Sequence, residues 1–179
     1  MSIDLIKALH NNDYHELHRL SLQENFEDLL NIPHDKKLVP IWYMKKEDTW
    51  FRTDIFKLLV NHNAILDFTN EHGQTLLMYC IERGFNEMAR ALIENDCDLN
   101  SQDDAGMTAL HYAVYNLDCD MVKILLMCDI NKKLKDNCGK TARFYLLNDI
   151  RHQLTDKNKK KECLKLFNCI DLLIHETTR

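Results

Sequence analysis

The run His15-Glu16-Leu17-His18 sets two imidazoles around a carboxylate, the residue types of a zinc-hydrolase helix. Such a site needs its histidines four apart, so that both fall on one helix face with the glutamate between them, and it needs a third ligand. Here the interval is three and no third ligand accompanies it, so the run reads as exposed helix surface. His111 has the chemistry of a general base, yet neither it nor the other histidines have a Ser or Cys partner at a family spacing. The seven cysteines (Cys80, Cys97, Cys119, Cys128, Cys138, Cys163, Cys169) are odd in number, and no pair has Cys-x-x-Cys spacing. They read as free thiols in a reducing compartment. Cys80, Cys97, Cys163 and Cys169 fall on apolar faces or at helix-packing positions, as buried small hydrophobes. Cys138, just before Gly139, should be exposed. Four glycines, at 73, 84, 106 and 139, are too dispersed to cradle a phosphate. The sequence therefore predicts no catalytic residue, no metal and no cofactor.

Composition narrows the partner. A net charge of −5 argues against direct nucleic-acid binding, because phosphate contacts need concentrated Lys and Arg. Lys159-Lys160-Lys161 is the basic run, and it reads as a solvated loop. No apolar stretch approaches the ~18 residues a membrane helix needs. The start, Met1-Ser2-Ile3-Asp4-Leu5-Ile6-Lys7, has no basic region leading into an apolar one. The expectation is an intracellular protein, cytoplasmic and/or nuclear, off the membrane and monomeric when free. Four Gly and two Pro leave few turn-makers for many short strands, so helices are the default. Abundant Asn, Lys, Ile and Asp fit an AT-rich genome.

The elements follow from a period. Gly73-Gln74-Thr75-Leu76-Leu77, Gly106-Met107-Thr108-Ala109-Leu110 and Gly139-Lys140-Thr141-Ala142-Arg143 stand 33 residues apart in succession. Leu59, Leu92 and Leu125 keep the same interval, each followed by an apolar residue. Within one unit, Gly106 suits a turn with positive φ. Thr108 can cap the helix that follows. Leu110, Ala113 and Val114 share a helical face, as do Met121, Val122, Leu125 and Leu126 on a second helix. Neither pair buries its face alone, so neighbouring units must stack, giving an all-α solenoid of helix-turn-helix units with short fingers.

Thr108-Ala109-Leu110-His111-Tyr112-Ala113 resembles the Thr-Pro-Leu-His-x-Ala signature of the ankyrin-repeat family, with Ala109 in place of Pro. Residues 71–103 match most fully, with Arg83-Gly84 between helices and Asp98-Leu99-Asn100 after the second. The resemblance covers nearly the whole chain, strongly over 71–142, and implies one domain. Residues 1–32 form an N-terminal helical cap. Residues 33–70 form a worn repeat in which Val39 takes the threonine place and three extra residues fall within 45–53. Regular repeats occupy 71–103 and 104–136, and an irregular capping repeat fills 137–179, with Arg143 in the place of a buried Leu and a closing helix over 161–176. In that setting His111 implies a structural bond to the loop between repeats. Leu117 stands where Gly84 stands, which assigns the unusual backbone to Asn116 instead.

The resemblance also implies a protein-binding function through turn tips and the inner face of the first helices. Carried over by position, this selects Glu71, His72, Gln74, Glu82 and Arg83, then Asp104, Ala105, Met107, Tyr115 and Asn116. Tyr115 leads, since an exposed tyrosine combines contact area with a polar handle. Trp50, with Phe51 in the inserted residues, either projects as an apolar contact patch or folds under the loop to plug the wider gap. Asn100, eight places after Leu92, resembles ankyrin asparagines that hydroxylases modify, and also asparagines that merely cap that turn. Small ankyrin-only proteins of this kind include inhibitors of Rel/NF-kappa-B transcription factors, some of them viral, and regulators of cell-cycle kinases. A substrate adaptor for a ubiquitin ligase, or a scaffold subunit, is the further alternative.

Overall fold

The computed structural model describes residues 2–11, 13–31, 53–128 and 130–147, with positions 158, 161 and 165. The worn first helix at 39–44, Trp50, Phe51, Cys163, Cys169, the 159–161 lysines and the closing helix at 161–176 lie wholly or mainly outside these residues. The helices described are α1 (Ser2–His10), α2 (Tyr14–Ser21), α3 (Phe26–Asn31), α4 (Thr53–Asn61), α5 (Leu76–Arg83), α6 (Asn86–Glu94), α7 (Ala109–Tyr115), α8 (Cys119–Met127) and α9 (Ala142–Leu147). Strand character among the described residues is confined to two antiparallel bridges, Thr69 with Thr75 and Lys135 with Thr141. Packing divides the chain into two units. One comprises Met1–Cys80 and Glu87–Cys97; the other comprises Ile81–Asn86 and Asp98–Arg179.

In the first unit the apolar stripes of α1, α2 and α4 meet, burying Leu5, Leu9, Leu17, Ile55, Phe56 and Leu59. Asp13 caps α2 by accepting the Glu16 amide at 3.1 Å. The short helix α3 has no counterpart in the periodic pattern. It is held by Phe26, 2% exposed, and by Asn31, whose side chain donates to the Asn63 carbonyl (2.9 Å) and accepts the Ile65 amide (2.8 Å). Asn63 and Asp96, 33 apart, both close their helices in the left-handed region, at φ 57° and 58°. Short polar side chains tolerate that backbone best after glycine.

The second unit repeats one design. Thr108 caps α7, with a reciprocal bond from His111, and Asp118 caps α8 by accepting the Met121 amide at 2.9 Å. Leu110, Ala113, Val114, Met121, Val122, Leu125 and Leu126 are all buried, as the period required. The turn between α7 and α8 corrects the sequence reading. Leu117, not Asn116, takes the left-handed backbone: φ is 52° at Leu117 and −82° at Asn116, beside 75° at Gly84. Asn116 is committed elsewhere, its amide donating to the carbonyls of Ile81 (2.8 Å) and Glu82 (3.1 Å). Leu117 is 6% exposed, and burying that side chain is worth roughly 1.5–3 kcal/mol, enough to offset the ~1–2 kcal/mol left-handed cost.

Gly73, Gly106 and Gly139 occupy equivalent bends, with φ of 70°, 74° and 74°. Their surroundings differ in one respect. A Cβ on Gly106 would meet Asn137 N and Oδ1 at 2.7 Å, whereas Gly84 and Gly139 face open space. Gly84→Ala and Gly139→Ala should each lose about 1–2 kcal/mol from backbone strain. Gly106→Ala should lose roughly twice that, because backbone of the next turn must also move. Urea unfolding of the three variants checks the ranking.

Candidate functional site: the finger tips and inner helix face

Each turn before a first helix is a small finger whose base residue fixes its tip. In the second finger, Asp103 Oδ1 accepts the amides of Ala105 (2.9 Å) and Met107 (2.8 Å). Its Oδ2 accepts the Tyr112 hydroxyl at 2.6 Å. The third finger copies this: Asp136 Oδ1 accepts the amides of Cys138 and Lys140, both at 2.9 Å, and Oδ2 accepts the Tyr145 hydroxyl. In the first finger Asn70 Oδ1 accepts the amides of His72 (2.9 Å) and Gln74 (3.0 Å), while its amide donates to Gln74 Oε1 at 3.0 Å. Asn70, Asp103 and Asp136 are 33 apart, and so are Tyr79, Tyr112 and Tyr145. The sequence reading missed both series, although the interval that exposed the glycines would have found them. Two amides per tip would otherwise lack a protein partner, so this side chain sets the finger's shape.

Adjacent fingers of the second unit are sewn together. The Asn137 amide donates to the Ala105 carbonyl at 3.0 Å, and its side chain to the Asp104 carbonyl at 2.8 Å. Gln102 Nε2 donates to the carbonyls of Gly106 (2.6 Å) and Lys135 (2.8 Å). His111 completes the seam. Its Nδ1 accepts the Thr108 amide at 3.1 Å, which puts the proton on Nε2, and Nε2 donates to the Lys140 carbonyl at 3.2 Å. The structural role that the signature implied for His111 is what these bonds perform. Burial holds its imidazole below the ordinary histidine value, against the Lys140 carbonyl and the carboxylates of Asp136 and Asp103.

Asp136 is buried, which opposes its charge. The bonds from Tyr145, Lys140 and Cys138 win, and its carboxyl sits below the usual range. Burial, followed by the bond to Asp136, pushes the Tyr145 phenol upward. Cys80 is buried and its thiol is pushed up by that burial, which disfavours the thiolate; Cys97 is buried too, and Cys138 is exposed. On α2, His15 and His18 are exposed and Glu16 is bonded to Arg19. Among the described residues no group of three or more His, Cys, Asp or Glu is placed to hold a metal.

These placements match a known architecture. The family model for ankyrin repeats, in three copies, matches residues 43–136, just over half of the chain. This chain belongs to the ankyrin-repeat family. No curated protein matches it. Its fold is the all-α ankyrin-repeat fold, and ankyrin repeats are protein-protein interaction modules. Among the described residues no helix is long and apolar enough to cross a membrane.

The predicted contact residues separate by environment. Glu71 and His72 are exposed at the first tip, Asp104 and Ala105 at the second, and Glu82 and Arg83 at the end of α5. Met107 and Tyr115 are half-buried. Gln74 faces inward, 8% exposed, as the support of its finger instead of an outward contact. Asn116 is exposed at its margin, but its amide ties the turn after α7 to Ile81 and Glu82. Asn100 is half-buried, its Oδ1 accepting the Asn131 amide at 2.7 Å.

Two measurements check this arrangement. Tyr112→Phe should cost about 1 kcal/mol and speed hydrogen exchange at the Ala105 and Met107 amides, with Asp103→Ala more severe at the same amides. His111 is stabilising when neutral, because its value falls on folding. Its contribution should be complete above the unfolded value of 6.5 and be lost as pH falls through 6.5 toward the lower folded value. Thermal melts from pH 8 to 5 should show this slope in the wild type and a flatter one in His111→Gln. Loss of the Asp136 contribution belongs to a more acidic window, below its ordinary 3.8.

Proposed function

We propose that this ankyrin-repeat chain is a non-enzymatic platform that regulates one partner protein stoichiometrically, by covering part of its surface and so blocking or positioning it. One observation carries the reading. The finger tips present exposed side chains, Glu71, His72, Asp104 and Ala105, on backbone already fixed from within by Asn70 and Asp103. Contacts made from such tips cost little ordering entropy on association, which is how small surfaces reach useful affinity. Glu82, Arg83, Met107, Tyr115 and the edge of Asn116 extend the contact set along the helices, with Tyr115 as its aromatic anchor. Trp50 is proposed as an added apolar contact. Asn100 is the candidate for hydroxylation, which would require its bond to the Asn131 amide to open first.

The partner class is proposed by resemblance to small ankyrin-only regulators: a Rel/NF-kappa-B-type transcription factor first, then a cell-cycle kinase, then the linker protein of a ubiquitin ligase. Co-purification with mass spectrometry from several tissues or hosts should return one partner, at one-to-one stoichiometry by light scattering. His72→Ala/Asp104→Ala/Tyr115→Ala should weaken that complex about tenfold or more, with circular dichroism showing that the variant is still folded at the assay temperature. Return of no partner, or wild-type affinity in the triple variant, would overturn the proposal.

A further inference from the structure

The third finger differs in charge from the one a period before it. Residues 129–143 carry Lys132, Lys133, Lys135, Lys140 and Arg143 against Asp129 and Asp136. Residues 96–110, 33 positions earlier, carry Asp96, Asp98, Asp103 and Asp104 and no cation. The change of sign therefore occurs at equivalent places in successive repeats of a chain whose net charge is −5.

The geometry sharpens this contrast. Asp136 is 7% exposed and both its oxygens are occupied, by the amides of Cys138 and Lys140 and by the Tyr145 hydroxyl. It therefore faces inward as a finger support, while the side chains of Lys133 and Lys135 face solvent. Lys133 and Lys135 are exposed. Their backbone is anchored on both sides: the Lys133 amide donates to Asn131 Oδ1 at 3.1 Å, the Asn131 amide to Asn100 Oδ1 at 2.7 Å, and the Lys135 carbonyl accepts Gln102 at 2.8 Å. Lys140 Nζ lies 5.4 Å from the Phe144 ring centroid and 5.8 Å from that of Tyr145, which holds this cation over the start of α9. Beside the lysines, the exposed Asp104 tip is tied to Asn137 at 2.8 Å.

We propose that the lysine finger docks an acidic segment of the partner protein, a run of Glu and Asp side chains. The adjoining Asp104 tip repels any extension of that run toward the second finger and so sets its register. The inference rests on the protein-binding reading and narrows its partner. A carboxylate-bearing peptide fits better than nucleic acid. In the third finger the exposed Lys133 and Lys135 are flanked by exposed Asp98 and Asp104 of the finger before it, an interruption of sign that a phosphate backbone, which calls for a continuous basic stripe, would not favour. Exposed charges of this kind act mainly on association rate and salt dependence.

Fluorescence anisotropy with the full-length chain tests this, using a fluorescein-labelled ten-residue oligoglutamate and a labelled ten-residue oligothymidylate as probes at about 20 mM salt. Oligoglutamate should bind saturably and weaken as salt rises. Lys133→Glu/Lys135→Glu should reduce that binding about tenfold or more at an unchanged melting temperature. Lys133→Gln/Lys135→Gln should reduce it less, and Asp104→Lys should tighten it. Absence of saturable oligoglutamate binding, indifference to the charge reversal, or oligothymidylate binding as tight as oligoglutamate would overturn the inference. Capture of the one-to-one partner by Lys133→Glu/Lys135→Glu at wild-type affinity would overturn it too, while leaving the platform reading intact.

Discussion

One side-chain oxygen at the base of each finger governs what the repeats can present. Asn70, Asp103 and Asp136 each hold two backbone amides of their own tip in a bend too tight for the backbone to satisfy itself. Where the base is a carboxylate, its second oxygen takes a tyrosine hydroxyl from the helix that follows, so finger and helix are braced together. Where it is an amide, the brace comes from the buried Gln74. Either solution leaves the tip side chains outside and the backbone beneath them fixed.

In the second unit this bracing continues from finger to finger. Gly106 lacks a side chain at the place where the amide and side chain of Asn137 come closest. Gln102 and His111 reach from one repeat to carbonyls of the next. Burial keeps His111 neutral, with one nitrogen accepting and the other donating, and that division of roles lets one ring join a helix cap to a neighbouring finger. Polar side chains thus specify the spacing of elements that apolar burial alone would only press together.

Much of the fold was legible because helix caps and left-handed turns demand particular residues at fixed intervals. Gly73, Gly106 and Gly139, with Thr75 and Thr108, located the fingers and the starts of α5 and α7. The paired apolar residues located the faces of α6 and α8. Other features resisted for physical reasons. Helix α3 is six residues long, too short for periodicity to show, and depends on Asn31 contacts more than thirty residues away. Leu117 adopts a backbone its type disfavours because burial outweighs strain, a balance no local pattern reveals. Gln74 looked like surface, yet Asn70 gives its side chain a partner in the interior. The aspartate–tyrosine braces were readable in principle but became meaningful only when their atoms met.

The cross-repeat hydrogen bonds described above connect residues 29 to 35 positions apart, from His111 with Lys140 to Asn116 with Ile81. Closing such short stretches of chain carries a modest entropic penalty, so folding can begin at any well-formed repeat and spread to its neighbour without a long search. The same economy works in reverse. Damage at one repeat is transmitted through its immediate interface and fades beyond it, so the chain can come apart in stages, and a bound partner would protect most strongly the repeats it touches.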